Sequence, residues 1–438
     1  MFRIKLSALA FFFQILALFA QTKEKKATPS AEKATDSTTY QPKKLSFEEA
    51  NLVSSYYTQD GNHSAVTGGI GTEKLTDYSN TFDLKMTRVG KTGRKHSIHL
   101  EIGFDHYSSA SSDMINPDNS RGGGGRPGGG GNATTGASYS DNRIYPSIGW
   151  QVEDKKKGYT FGANGSFSTE YDYTSKGIGL NFSKSSKDKS QEFGVKLGAF
   201  FDTWMVIYPY ELRPPGYGTG GHDGGGGPGG GGGGGGTIDY TPRNTFNAAF
   251  SFAQIVNKKF QMSFMAEPVL QQGLLATKYQ RVYFTDGSAK PENLPDQRLK
   301  MPVSVRANYF MTDFFLVRSY YRFYTDDWGL QAHTLSVEPV LKITPFLSIS
   351  PFYRFYAQNN VKYFAPYKEQ NTASPYFTSD YDLSKFTSQS YGSGIRYVSN
   401  GDDIIGDMNI GSIELRYSHY VRSTDLVSSM VTLALKFK

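Results

Sequence analysis

Half-apolar segments that alternate residue by residue recur along this chain, joined by connections that are short, then long, then short again. Short joins fall at Gly90 to Arg94, Glu153 to Gly158, Ser185 to Ser190, Asn257 to Lys259, Met311 to Asp313 and Thr344 to Phe346. Between them lie long ones, including Ser108 to Asn142, Tyr208 to Asn244, Gly273 to Gln297 and Asn359 to Lys385. Successive side chains of a strand point to opposite faces, so a segment apolar at every second place has one greasy and one polar face. Sixteen such segments can be read, from Glu49–Thr58 to a last one ending at Phe437, with Phe260–Gln272 and Arg298–Phe310 each read as unbroken. An even count with tight turns on one rim and long loops on the other predicts an all-β, antiparallel up-and-down transmembrane barrel, with fourteen to eighteen strands as the admissible range.

A chain of 438 residues normally holds two or three soluble domains, but no linker divides Phe47 to Lys438, so one large barrel domain is expected over 47–438. The mean hydropathy of -0.47 and the lack of a run of 18 apolar residues beyond the N-terminal segment exclude a helical membrane bundle. A barrel wall needs only every second residue to be apolar. The 30 Tyr and 31 Phe suit both strands and membrane-interface girdles.

Residues 1–20 have the form of a signal peptide: Arg3 and Lys5, an apolar stretch from Leu6 to Phe19, then Ala20. Its removal leaves 45 basic against 40 acidic residues, a net +5, which spread over a long barrel is no nucleic-acid footprint. Residues 21–46 are rich in Lys, Thr, Glu, Ala and Pro and read as a disordered periplasmic leader. The absence of Cys removes disulfides, thiolate metal sites and covalent haem attachment. Glycine-rich insertions at 121–131 and 216–236 are low-complexity loops, not phosphate cradles, because neither is followed by the Lys of a P-loop. They are expected outside the cell, with Lys155 to Lys157 in the periplasm.

Alternation assigns faces. On it Arg306, Arg318, Arg322, Arg354, Arg396 and Arg416 point inward, as do Glu267, Glu338 and Glu414. Six Arg against three Glu favour anions in a water-filled lumen; an Arg, Glu and Tyr network that plugs the interior explains the same residues equally well. The final strand carries Val427, Val431, Leu433, Leu435 and Phe437 on one face, a pattern suited to barrel-assembly machinery, with Lys438 as a departure.

No catalytic constellation or cofactor site emerges, and the chain is expected not to be an enzyme. His96 and His99 fall on opposite faces of one strand and cannot chelate a single ion. Asp60 to Ser64 offers oxygen ligands at alternating positions, but Ala65 stands where a calcium loop needs Gly, and a tight turn explains Asp60 and Gly61. Asp326 and Asp327 fit either a divalent ion or a loop cap, with Trp328 marking the membrane interface.

The run Tyr56 to Glu73, containing Asp60, Gly61, Gly68, Gly69, Gly71 and Glu73, resembles the opening signature of a bacterial outer-membrane family, domain of unknown function 3570. Tyr321 to Thr334, with Asp326, Asp327 and Trp328, resembles a second signature, and Ser379 to Leu383 a third. The resemblance implies an outer-membrane barrel of a Gram-negative bacterium with no assigned activity. A pore or partner-binding scaffold is the leading reading; the alternatives are a sheath or anchor for a periplasmic protein or lipoprotein carrying redox or flavin chemistry, and a loop-based surface adhesin. Asp60 to Glu73 is too polar for a wall strand and is expected to fold into the lumen or rim, with Asp60 and Glu73 meeting inward-facing Arg.

Overall fold

The computed structural model of the chain describes residues 44–108, 140–215, 217, 240–400, 404–405 and 408–438. The expected signal peptide, nearly all of the leader and almost all of the two glycine-rich tracts lie outside the described residues. Sixteen strands form one closed antiparallel ring. They are β1 (Ser46–Asp60), β2 (Leu75–Val89), β3 (Lys95–Ser108), β4 (Ser140–Asp154), β5 (Tyr159–Thr169), β6 (Tyr173–Ser185), β7 (Gln191–Met205) and β8 (Tyr240–Asn257). Then follow β9 (Phe260–Ala266 with Val269–Gly273), β10 (Gln297–Lys300 with Val303–Phe310), β11 (Phe315–Thr325) and β12 (Gln331–Lys342). The ring ends with β13 (Leu347–Gln358), β14 (Phe386–Val398), β15 (Met408–Arg422) and β16 (Leu426–Phe437).

Each strand pairs with its neighbours in sequence, and β1 pairs with β16 from Ala50↔Phe437 to Asp60↔Val427. No edge is left, which is what a bilayer demands, since an unpaired backbone amide in hydrocarbon has no water to bond. The seam is fastened on both faces. Outward, Ala50, Leu84, Ile410 and Phe437 form a buried apolar cluster. Inward, Lys436 Nζ donates to Glu49 Oε2 at 2.5 Å and the hydroxyls of Ser55 and Thr432 meet at 3.1 Å.

The two strands read as unbroken are each interrupted, β9 at Glu267-Pro268 and β10 at Met301-Pro302. Proline has no amide hydrogen to give to a ladder. The gap is bridged instead by Glu267 N–H to the Pro302 carbonyl at 3.0 Å and Ala248 N–H to the Pro268 carbonyl at 3.1 Å.

Alternation gives the wall its two characters. Ile102, Ile148, Ile178, Leu180, Leu335 and Leu415 stand exposed on the outer face, a surface that only lipid would cover. The inner face of β5 to β8 is low and polar: Asn181, Asn164 and Asn247 lie over Gly162, Gly179 and Gly198, where a Cβ would come within 2.5, 2.4 and 2.2 Å of the amide oxygens. A ring of sixteen strands is wide enough to enclose an aqueous channel, and this section adds little bulk to it. Leu335→Arg, on the lipid face, should destabilise the refolded barrel by roughly 2–4 kcal/mol, whereas Ser336→Arg on the lumen face should cost far less; equal losses in denaturant titrations in lipid would refute the face assignment.

Candidate functional site

The long connections gather at one end of the barrel and fold together. Those after β1 (61–74), β7 (of which 206–215 and 217 are described), β9 (274–296) and β13 (359–385) meet there. The loops after β1 and β9 leave the ring eight strands apart, from opposite sides of the mouth. They nonetheless touch: Arg281 Nη1 donates to the Val66 carbonyl at 2.9 Å, so the mouth is spanned by protein.

Arg281 is the crosspiece. It sits on a ribbon made by Arg281–Tyr283 and Ala289–Pro291, and its Nε donates to Glu211 Oε1 at 2.6 Å, tying in the loop after β7. Its side chain is only 6% exposed, so it is held by a fork of charge-assisted bonds and not by water. Against this ribbon packs the short helical turn Ala65–Thr67, ended by Gly68 and Gly69 at φ of 84° and 85°. A side chain at either would be strained twice over. A Cβ on Gly68 would lie 2.6 Å from the Tyr283 ring, and one on Gly69 2.8 Å from the Ser379 carbonyl oxygen. His63 stacks on Tyr381 with ring centroids 3.8 Å apart, and its Nδ1 lies 2.9 Å from the Gly69 carbonyl. Segment 61–74 is thus ordered against the loops after β9 and β13.

Beneath lies an apolar core of Ala276, Leu294, Trp328, Leu330, Ala332 and Val361. Trp328 does not mark a membrane interface. It is 3% exposed, donates its indole N–H to the Gln297 carbonyl at 2.9 Å and lies 4.3 Å beneath the Arg298 guanidinium. Asp326 caps the turn, accepting from Leu330 N–H at 3.0 Å and pairing with Arg298 at 2.5 Å; Asp327 accepts from Leu299 N–H at 3.0 Å. Both are therefore loop caps, and among the described residues no three His, Asp or Glu side chains come together as a metal site would require.

Buried acids hold the two largest described loops together. Glu292 accepts Thr277 N–H at Oε2 (2.6 Å) and the Thr378 hydroxyl at Oε1 (2.5 Å), while the nearby Lys278 ammonium goes to the Glu292 and Asn293 oxygens outside that carboxylate. Burial without an ion-paired cation pushes Glu292 up to about 7. Burial, then repulsion from Asp382, raises Asp380, and burial likewise raises Glu73 against the pull of Arg422. Asp382 itself pairs with Arg422 at 2.5 Å, which fastens the loop after β13 to the lumen wall. Asp60 does not meet an inward Arg: it faces Lys74 at 4.0 Å with both side chains more than 60% exposed, since it stands at the very end of β1.

Under this cover is a cavity of about 990 Å³ lined by Arg306, Arg318, Arg322, Arg354 and Glu338, with Asp382 and Arg422 at its edge. Part of the Arg set is paired within the wall. Glu338 meets Arg318 at 3.3 Å and Arg416 at 3.1 Å, and Glu414 meets Arg416 at 3.5 Å and Arg396 at 4.0 Å. Glu267 stands apart on β9's break, accepting from Asn247 at 3.2 Å. Arg306, Arg322 and Arg354 have no carboxylate within ion-pair distance among the described residues; Arg306 lies 5.2 Å from the Tyr320 ring and Arg322 5.7 Å from that of Tyr324. The lumen is therefore neither a fully paired network nor a bare row of cations. At the short-turn end a second cavity, of about 1030 Å³, is lined by Lys155, Lys156, Lys157, Lys184, Lys187 and Lys189 and shares Arg306 and Asn308 with the first.

Fold and site together define a transmembrane β-barrel whose described long loops meet across one end. The chain belongs to the family described as "Protein of unknown function (DUF3570)", whose profile matches residues 6–218 and 231–412. The three segments that carry the sequence resemblance, Tyr56 to Glu73, Tyr321 to Thr334 and Ser379 to Leu383, all take part in the closure. No curated protein matches the chain. Similar solved structures include OccK9 (OpdG) of Pseudomonas aeruginosa, at 9% identity over 90% of this chain and 98% of that one with a TM-score of 0.40. Others are a bacterial polysaccharide outer membrane secretin (10%, 89% and 98%, 0.42) and the ferric enterobactin receptor PfeA (10%, 86% and 55%, 0.44).

Glu292 sets the expected pH response of the closure. Its folded pKa stands above the ordinary 4.5, so its contribution is complete below that value and is lost as pH rises through about 7, where the buried carboxyl must ionise without an ion-paired cation. Asp380 and Glu73 act in the same sense. Proteolysis within 274–296 on the folded barrel should therefore be faster at about pH 8 than at about pH 5, and Glu292→Gln should flatten the difference. Equal cleavage of the wild type at both would contradict the assignment.

Proposed function

We propose that the protein is a plugged conduit in the outer membrane of a Gram-negative bacterium, with its lumen open to the periplasm and its outer mouth shut by its own loops until something displaces them. The observation that carries the reading is the contact of segment 61–74 with the Arg281 ribbon across the mouth, directly over a charged cavity. A barrel that served only as an anchor would not need a closed mouth above unpaired Arg306, Arg322 and Arg354. Such groups call for water or solute, because a charge without partner or solvent is costly. On this reading short turns such as 155–158 face the periplasm, and the outward row Val427, Val431 and Leu433 of β16 serves recognition by the assembly machinery.

A second reading has its own support. The rim at the short-turn end, six lysines against Glu153, Asp154 and Glu192 around one opening, carries a net positive charge that suits an acidic periplasmic protein docked beneath the barrel, as a sheath or anchor for a redox or flavin-carrying partner would require. The two readings are compatible if such a partner feeds or empties the lumen.

In planar bilayers the wild type should be silent for most of the record. Arg281→Ala removes the crosspiece; because Glu211 is 29% exposed, the loss falls below the roughly 3–5 kcal/mol of a fully buried pair, and the barrel itself should keep its heat-modifiable migration on gels. The variant should conduct for a far larger share of the record. Silence in both proteins at all voltages would remove the conduit and favour the sheath.

A further inference from the structure

The charged groups that the lumen leaves without ion pairs fall mainly into two sets, acids around β2 and β3 and arginines around β10 to β13, with Arg143 beside the acids and Lys196 on β7 as exceptions. Asp83 and Glu101 face each other in register on β2 and β3, and Asp77 and Asp105 lie on the same inward face. Two of them are oriented by neutral donors: Asn51 Nδ2 to Asp83 at 3.0 Å, and the Ser79 hydroxyl (2.6 Å) and Tyr145 hydroxyl (3.0 Å) to Asp105. The lysines of these strands turn elsewhere, Lys85 and Lys95 both pairing with Glu48 at 3.2 and 2.8 Å. Arg143, opposite Asp105 on β4, gives its Nε to Ser168 and lies over the Tyr145 ring. Among the described residues none of the four acids has a cation within ion-pair distance.

Eight strands away, on the far side of the ring, stand Arg306 on β10 and Arg322 on β11, with Arg354 two strands on. Between the two sets runs the wall of β5 to β8, mostly Asn and Gly on its inner face, with the Phe200 ring and Lys196 the bulkier side chains there. A lone anion meets attraction from one wall and repulsion from the other, and so does a lone cation. A molecule carrying both charges can align its dipole along the field between the walls, each end drawn toward the wall of opposite sign, and low-dielectric sides focus that field.

Resting on the conduit reading, we infer that the lumen takes small zwitterions of the α-amino-acid or short-peptide class, aligned crosswise with carboxylate toward Arg306, Arg322 and Arg354 and ammonium toward Asp83 and Glu101. The cavity against the basic wall, about 990 Å³, is roomy enough for such a solute and its water.

Proteoliposomes holding the Arg281→Ala barrel are the test, with free glycine, glycolate and ethanolammonium as probes of nearly equal size. Glycine should enter about threefold faster than either ion, or more. Adding Asp83→Asn and Glu101→Gln should erase that lead and leave glycolate the faster probe, while heat-modifiable migration shows the barrel intact. Glycine entering no faster than glycolate, or a lead untouched by the two substitutions, overturns the inference but leaves the conduit standing. Entry of no probe through a folded barrel removes the conduit, and the inference falls with it.

Discussion

Everything in this molecule depends on the ring being closed. Strand β1 finds β16 over eleven register positions, so the sheet is left with no open edge strand facing lipid. Closure fixes the strand number, and the strand number fixes the width of the lumen. It also decides which loops are neighbours and which charges confront one another. Arg281 can bar the mouth because β1 and β9 lie across it, and Asp83 confronts Arg306 for the same reason.

The two ends of the barrel are built from different physics. At the short-turn end exposed lysines outnumber the acids around an opening and contribute long-range attraction more than stability. At the long-loop end charges are buried and each must be satisfied. Arg281 with Glu211, Arg298 with Asp326 and Arg422 with Asp382 are close ion pairs with the guanidinium nearly out of solvent. Breaking one leaves a buried charge behind, which makes such pairs good latches: firm while intact and strongly destabilising once one partner leaves. Glu292 and Asp380 are buried acids without an ion-paired cation, so their contribution to the same assembly falls as pH rises.

Much of this was legible in the sequence, and for one reason. Lipid outside and water inside impose a period of two, so strand positions and the inward faces of Arg306, Arg318, Arg322 and Arg354 follow from alternation alone. The breaks at Pro268 and Pro302 were not legible, because Pro146, Pro242, Pro339 and Pro351 lack the same amide and lie inside unbroken strands. Trp328 was misplaced because an indole near a loop suits a membrane interface and a packed core alike, and only its neighbours decide. The Arg281 ribbon had a local signal, the alternating Arg281 to Phe284 followed by the Asp286-Gly287 turn. Its partners had none. Arg281 reaches Val66 across 215 residues, and Glu292 reaches Thr378 across 86. Contacts between loops of different hairpins leave no periodicity to read, so the segment 61–74 could be singled out by resemblance while its role as half of a closure could not.

The central claim is that the lumen opens to one side only. Ser336 lines the cavity beneath the closure, and the chain has no native thiol to confuse the signal, so a membrane-impermeant thiol reagent can be applied to Ser336→Cys from either side. The account predicts no reaction on intact cells and ready reaction once the periplasm is reached by osmotic shock. Equal labelling on intact cells would mean the mouth stands open, and no labelling from either side would mean the lumen is packed shut; both results would contradict it.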